Sequence, residues 1–401
     1  METIKKTKIA LTLRLAIGLA CLSSCTDLED IRKPLGTDTV KPGMVSNVSV
    51  VNFAGGSTIT YTLPQDEDLE YVLASYSINK DVPNVRETKA SHFNNKITVE
   101  GFADAGDFEV TLYSVDRSSN KSEPVVVKVA PQAPPLRTVY KSLQLGVDFG
   151  GLNVVYENPS EAKLAIVVIT KDSNGDFVPV ETLYTQSKGG TFAARGFDTL
   201  SRDFGVYVRD RWNNYSDTTF KNVTPLFERE LDKTKFNEYR LPTDEESGYG
   251  WRMPYLWDER HTEPGFHTIP LSDREMPIHF TFDLGVTAKL SRFRLWQREG
   301  DWFYKHGNPR KWTMWGSEKL PNPDGSYTGW TKLMECESIK PSGSPYGVTT
   351  GDDIAYMSAG EEFVFPLSAP KVRYIRMQIF QNWSDTKFVH FTEISFWGDT
   401  R

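Results

Sequence analysis

Ile278-His-Phe-Thr-Phe-Asp-Leu-Gly285 and Ser291-Arg-Phe-Arg-Leu-Trp-Gln-Arg298 are the stretches on which the fold turns. Ile278, Phe280, Phe282 and Leu284 fall on one face of the first, and Phe293 and Leu295 on one face of the second. A period of two marks a half-buried strand. The pattern recurs at Trp312 and Met314, Phe363 and Phe365, Ile375, Met377 and Ile379, and Ile394 and Phe396. Short strands at this density over about 150 residues, with no helical periodicity among them, call for a closed or two-sheeted antiparallel domain. Nine of the ten tryptophans lie between Trp251 and Trp397, so this part of the 401-residue chain is chemically distinct from the rest.

The first half is organised by a repeat. Gly55-Gly-Ser-Thr-Ile-Thr-Tyr-Thr-Leu-Pro64 matches Gly150-Gly-Leu-Asn-Val-Val-Tyr-Glu-Asn-Pro159, and Phe108 to Asp116 matches Phe204 to Asp210. Asn120 and Asn214, Ser122 and Ser216, and Pro131 and Pro225 repeat the punctuation. A period of 94 to 95 residues is the size of one β-sandwich. Within the first copy Ile59, Tyr61 and Leu63 oppose Thr58, Thr60 and Thr62, as half-buried strands require. The divisions that follow are a signal segment over 1–24, a polar tether over 25–41, sandwiches over 42–131 and 132–225, a charged linker or lead-in segment over 226–250, and the Trp-rich domain over 251–401. The fold class is all-β.

The amino terminus reads as a bacterial lipoprotein signal: four basic residues up to Arg14, an apolar run from Leu15 to Leu22, then Ser23-Ser24-Cys25. Small residues before a cysteine fit the peptidase, and the Cys25 thiol is the atom that a diacylglycerol thioether needs. The run is too short to span a bilayer, which takes about 20 helical residues, so the expected membrane contact is a lipid anchor. Without the first 24 residues the balance is 42 basic against 52 acidic side chains. Such a surface repels phosphate backbones, and nucleic acid is excluded as a partner. Cys336 would be the one remaining thiol, which leaves no intrachain disulfide; Glu335 and Glu337 beside it make it a poor thiolate.

Three resemblances build on these residues. The first unit looks like a fibronectin type III domain, and the tandem is similar to the Bacteroidetes families catalogued as domains of unknown function 4959 and 5126. Leu256-Trp-Asp258, Phe280 to Gly285, Ser291 to Arg298, Pro309 to Ser317, Val372-Arg-Tyr-Ile-Arg376 and Glu393 to Gly398 together resemble the discoidin, or coagulation-factor C-type, galactose-binding-like jelly roll shared with family-32 carbohydrate-binding modules. More narrowly this segment is similar to domain of unknown function 5000. Asp27, Glu29 and Asp30 after the cysteine resemble the acidic export tag of Bacteroidetes surface lipoproteins. The resemblance implies two spacer sandwiches presenting a glycan-binding module on the outer membrane, facing the cell exterior. It further implies a polysaccharide-utilisation system whose uptake machinery is the partner.

A pyranose offers apolar C–H faces and a rim of hydroxyls, so its site needs flat rings beside hydrogen-bonding groups. Arg298, Trp302, Tyr304, His306 and Asn308 sit in one interstrand stretch and Trp383 in another, and these are the candidate glycan-binding residues. Packing at the barrel mouth is the competing role for the same rings. The family places a structural calcium ion between the first loop and the last strand, at positions matched by Asp258, Thr262 and Glu393. The Asp-Gly pair usual in that loop is missing and Arg260 brings positive charge, so a salt-bridged loop is the alternative; no other cofactor is required. No motif of nucleophilic or metal-dependent catalysis is present. The chain reads as a non-enzyme, with an adhesin for a protein or cell-surface ligand as the alternative function.

Overall fold

The structure, a computed structural model, describes residues 38–80, 85–270 and 275–401. The signal segment, Cys25 and most of the tether lie outside the described residues. The fold is all-β: two tandem β-sandwiches of the fibronectin III type precede a discoidin-like jelly roll.

In the first sandwich β1 (Ser46–Phe53), β2 (Gly56–Thr62) and β5 (Lys96–Glu100) form one sheet. The other comprises β3 (Leu69–Ser77), β4 (Val85–Ser91), β6 (Phe108–Asp116) and β7 (Val125–Val129), ordered β4-β3-β6-β7. The second sandwich repeats this plan. β8 (Gln144–Asp148), β9 (Gly151–Glu157) and β12 (Gly189–Ala194) face a sheet ordered β11-β10-β13-β14. That sheet is built from β10 (Leu164–Lys171), β11 (Phe177–Thr185), β13 (Arg202–Asp210) and β14 (Thr219–Val223). Alternation fills each core: Ile59 and Tyr61 in the first and Ile166, Val168, Val206 and Val208 in the second are buried.

The repeated motifs hold equivalent places. Gly55 and Gly150 both take positive φ, at 73° and 65°, and their N–H groups donate to Gln132 O and Leu226 O, receiving the strand that closes each unit. Only glycine enters that backbone region at little cost. Asp116 and Asp210 each accept from the backbone and side-chain N–H of the asparagine four residues on. The Asn120 amide then donates to Asp38 O, and that of Asn214 to Gly101 O, so each pair clamps the segment before it. Trp212 packs on Gly101, and Arg211–Glu100 and Arg137–Asp104 ion pairs complete the joint between the sandwiches.

The third unit contains β15 (Arg229–Glu230), β16 (Asn237–Glu238), β17 (Phe266–His267), β18 (Ile278–Trp296), β19 (Pro309–Ser317), β20 (Thr331–Glu337), β21 (Glu361–Val364), β22 (Val372–Asn382), β23 (His390–Phe391) and β24 (Glu393–Asp399). Its main sheet runs β15-β24-β18-β22-β19-β20. The two stretches that open the sequence reading are one strand of 19 residues, β18, which bends. Its first half pairs with β22 and its second with β24, the register shifting around Gly285. There φ is +66° and an added Cβ would lie 2.2 Å from Lys235 O, so the bend needs glycine. Phe293, Phe363, Phe365 and Phe396 stack in the core. Truncating the fully buried Phe293 to Ala would cost about 3–5 kcal/mol. Trp296 and Trp312 are core; Trp315 and Trp397 form the wall, Trp397 beneath the Arg292 guanidinium at 4.3 Å.

Residues 226–250, read as a linker or lead-in segment, pack on the third unit. Leu231 and Phe236 are buried in the jelly-roll core, Leu231 N–H donates to Phe396 O, and β15 and β16 join its sheets. The short alternating runs there are too brief to signal strands. Asp244 forms a fully buried pair with Arg376, whose guanidinium also donates to Gly325 O and Thr243 Oγ1. At the joint with the second sandwich, Glu228 accepts from Arg195, Ser291 and Arg292, while Arg195 also pairs with Asp148 and Arg292 with Glu362. Cys336 is buried; burial, then Glu361, raises its pKa, and Glu335 and Glu337 are not the cause.

Candidate functional site

The stretch joining β18 to β19 determines which rings reach the surface. Gly300–Trp302 makes one 3-10 turn, after which Tyr304 and His306 take positive φ, at 56° and 51°. Such residues cost about 1–3 kcal/mol each and persist only where the surroundings hold them. Here Asn308 and Gln297 do so: Asn308 Oδ1 accepts from Arg298 N, its amide donates to Trp302 O at 2.7 Å, and Gln297 Oε1 accepts from Tyr304 N. The result is a split. Phe303 and Tyr304 turn inward against Met357 of the helix Gly351–Ser358, while Trp302 and His306 stay half-exposed.

Around the outward side a cluster of rings assembles at this end of the barrel. The Arg298 guanidinium lies 4.0 Å from the Trp302 ring centre and 5.1 Å from that of Trp251, and pairs with Glu263. His306 lies 4.5 Å from Trp302. His267 stacks on Phe388 at 5.1 Å and meets Tyr249 and Trp251 edge-on at 4.9 and 5.7 Å. Beneath them His390 is fully buried. Gly307 N–H donates to its Nε2, and an added Cβ on Gly307 would lie 2.7 Å from Phe388 and 2.9 Å from His390, so the two segments meet only because a side chain is missing.

Two imidazoles here, those of His390 and His267, favour the neutral form. Burial, helped by His267, Arg298 and His306, pushes the His390 pKa down to about 2. Burial also lowers that of His267, with Arg298 adding to it. His267 Nδ1–H donates to Thr268 O, so its Nε2 is left as an acceptor. Rings, a neutral imidazole acceptor and a guanidinium on one shallow surface can cover a sugar's apolar face and bond its rim.

Of the residues singled out from sequence, Arg298, Trp302 and His306 come together. Trp383 lies apart, edge-on to Tyr304 at 5.0 Å with Arg310 over its ring at 4.9 Å. Two assignments need correction. Tyr304 is buried, its hydroxyl directed at Asp353 O, and Asn308 is buried as the staple of the loop, so neither presents a surface to ligand. Their role is positioning. Tyr249, Trp251, His267 and Phe388 escaped sequence reasoning because they come from three other stretches; the Gly248-Tyr-Gly-Trp251 run, where the linker or lead-in segment meets the Trp-rich domain, was the available signal.

The residues matched to the calcium site do not fit a cation. Glu393 is fully buried and bonded to the Lys233 ammonium, and Asp258 is held by both Nε and Nη2 of Arg260 at 3.0 and 2.6 Å. Thr262 is exposed. A divalent ion there would meet the Lys233 ammonium and the Arg260 guanidinium, and like charges repel. The ammonium of Lys233, from the segment read as a linker or lead-in, bonds Glu393 in place of a cation, while burial raises the Glu393 pKa to about 8 and leaves its Oε2 without a hydrogen-bond partner.

Three family models match the chain in order, each described as a domain of unknown function: DUF4959 over residues 42–131, DUF5126 over 132–234 and DUF5000 over 257–398. No curated protein matches. Among solved structures the chain is similar to a SusE-like protein, BT2857, with 37% identity over 100% of that chain and 67% of this one, at a TM-score of 0.45. It is also similar to a CBM32 of a family 31 glycoside hydrolase from Clostridium perfringens, with 14% identity over 95% of that chain and 42% of this one, TM-score 0.33. A third is the family 32 CBM of C. perfringens NanJ, solved in complex with galactose, with 14% identity over 99% of that chain and 43% of this one, TM-score 0.30. With 37% identity maintained across the whole of the first relative, the chain belongs to the SusE-like family.

Proposed function

We propose that the chain is an outer-surface lipoprotein anchored through Cys25, which holds polysaccharide on the loop end of its jelly roll for the uptake machinery of a polysaccharide-utilisation system. The observation that carries the reading is the Arg298 guanidinium set between the Trp302 and Trp251 rings, beside His306 and His267. Partly exposed rings next to fixed donors are what a sugar face and its hydroxyl rim require. Binding without catalysis is the proposed activity: Glu263, one of the acids near these rings, is engaged by Arg298, whereas glycoside hydrolysis needs two carboxyl groups free to act across the bond. A glycan-array screen of the full chain tests this, and retention of no carbohydrate would move the assignment to a protein-binding adhesin. The anchor has its own test. Cys25→Ser should abolish incorporation of labelled fatty acid, and continued incorporation would contradict Cys25 as the acylated residue.

A further inference from the structure

The outward faces of the two four-stranded sheets match in register but differ in what flanks them. In the first, the cross-strand pairs Leu73–Tyr113 and Ser75–Thr111 line it, with Glu87 and Lys89 alongside. Strand register places the pairs Val167–Tyr207 and Ile169–Gly205 at the equivalent positions of the second, flanked by the rings of Phe177, Tyr184 and Phe220. Ala165 and Val167 of β10 point away from the core and are nevertheless buried between the neighbouring strands, as Leu73 is in the first copy. Phe220 lies across Gly205, where a Cβ would come within 2.7 Å of its ring.

The rings themselves remain open to solvent, Tyr184 at 73%, Phe220 at 55% and Tyr215 at 51% exposure. Phe177 meets Phe220 at 5.1 Å and Tyr207 meets Tyr215 at 5.8 Å. They follow β10 along a strip about 20 Å long. At the Tyr184 end the strip opens into a cleft of about 510 Å³ lined by Lys163, Gln186, Arg209, Arg211 and Asn213 among others. Its charge is positive. Arg211 pairs with Glu100, but Lys163 and Arg209 make no ion pair among the described residues, Arg209 being bonded to the Tyr215 hydroxyl. The Asp210 carboxylate in the cleft is buried and taken by Trp212 N, Asn214 N and the Asn214 amide. On a chain with 46 basic and 53 acidic residues, this concentration of cations beside tyrosines is local.

We propose that this face is a second carbohydrate-binding surface, for polysaccharides carrying uronic acids. Tyr184 and Tyr215 meet the pyranose faces, and Lys163 and Arg209 meet the carboxylates. A protein partner would be expected to press on a continuous apolar core. The aliphatic residues of this face are covered, so a ligand meets separated rings and cations along a narrow strip, which suits a linear charged polymer. The surface belongs to a different unit from Trp302, so the two sites fail independently.

Affinity electrophoresis of the full chain through gels containing polygalacturonate, alginate or hyaluronate, with dextran as the neutral control, tests the proposal. At least one acidic polymer should retard the chain. Tyr184→Ala/Arg209→Ala should weaken that retardation about tenfold, added salt should weaken it as well, and Trp302→Ala should leave it in place. The exposed Tyr184 and half-buried Arg209 are not core residues, and an unchanged melting curve of the double variant certifies its fold. Absence of retardation by all three acidic polymers, full retardation of the double variant, or loss in Trp302→Ala alone would overturn the assignment.

Discussion

Replacing His390 with Gln probes how the loop end of the jelly roll is held. The folded imidazole is pushed down to about 2, by burial first and by its neighbours His267, Arg298 and His306 second. In the unfolded chain the same ring takes its proton near pH 6.5. Below that pH the unfolded state binds a proton that the folded state refuses, so stability is lost as pH falls, at about 1.4 kcal/mol per unit for this one group. Between about pH 6.5 and 5 the loss is about 2 kcal/mol. Glutamine does not titrate, so His390→Gln removes this share of the slope. It also gives up the Nε2 acceptor of Gly307 N–H, costing about 1 kcal/mol at neutral pH. Urea melts followed by tryptophan fluorescence report mainly on the third unit, where nine of the ten tryptophans lie. The stability of the variant relative to wild type should rise by about 2 kcal/mol over that pH range, closing the initial gap of about 1 kcal/mol and reversing it. Equal pH slopes in the two proteins would refute the reasoning, since the ring would then titrate as freely in the fold as in the coil.

Two further outcomes follow from the ion pairs. Glu228→Ala deprives Arg195, Ser291 and Arg292 of a shared acceptor at the joint between the second sandwich and the jelly roll, and limited trypsinolysis should cut faster at Arg229 while the tryptophan-reported melt changes little; an unchanged cleavage rate would show that the joint does not depend on Glu228. Because Lys233 and Arg260 engage Glu393 and Asp258, neither chelator nor added calcium should move the melting temperature, and a rise with calcium would contradict the tethered-cation account.

Most of the fold could be read because the core obeys a period of two. Phe280, Phe282, Phe293 and Phe396 announce their faces, and the Gly55 and Gly150 repeats mark the same turn in both sandwiches. What escaped was everything set by distance between segments. Leu231 and Phe236 look like a charged linker's stray apolar residues until they enter the jelly-roll core. Lys233 is unremarkable in sequence, and nothing near it announces its pairing with Glu393, 160 positions away. The loop after β18 was legible as a ring-rich stretch, but positive φ at Tyr304 and His306 decides which rings face inward, and nothing in the composition fixes those angles. Tyr304 therefore became a packing residue while Trp302 kept its exposure.

The central claim is that the Trp302 end of the jelly roll binds glycan, and calorimetric titration of the full chain and of Trp302→Ala with a carbohydrate recovered from the array tests it most directly. A shallow open site should bind single sugar units near the millimolar range, about −4 kcal/mol, with oligosaccharides tighter. Trp302→Ala should weaken binding about tenfold with its melting curve preserved. Equal affinity in the two proteins, or submicromolar affinity for a neutral monosaccharide, would contradict the account.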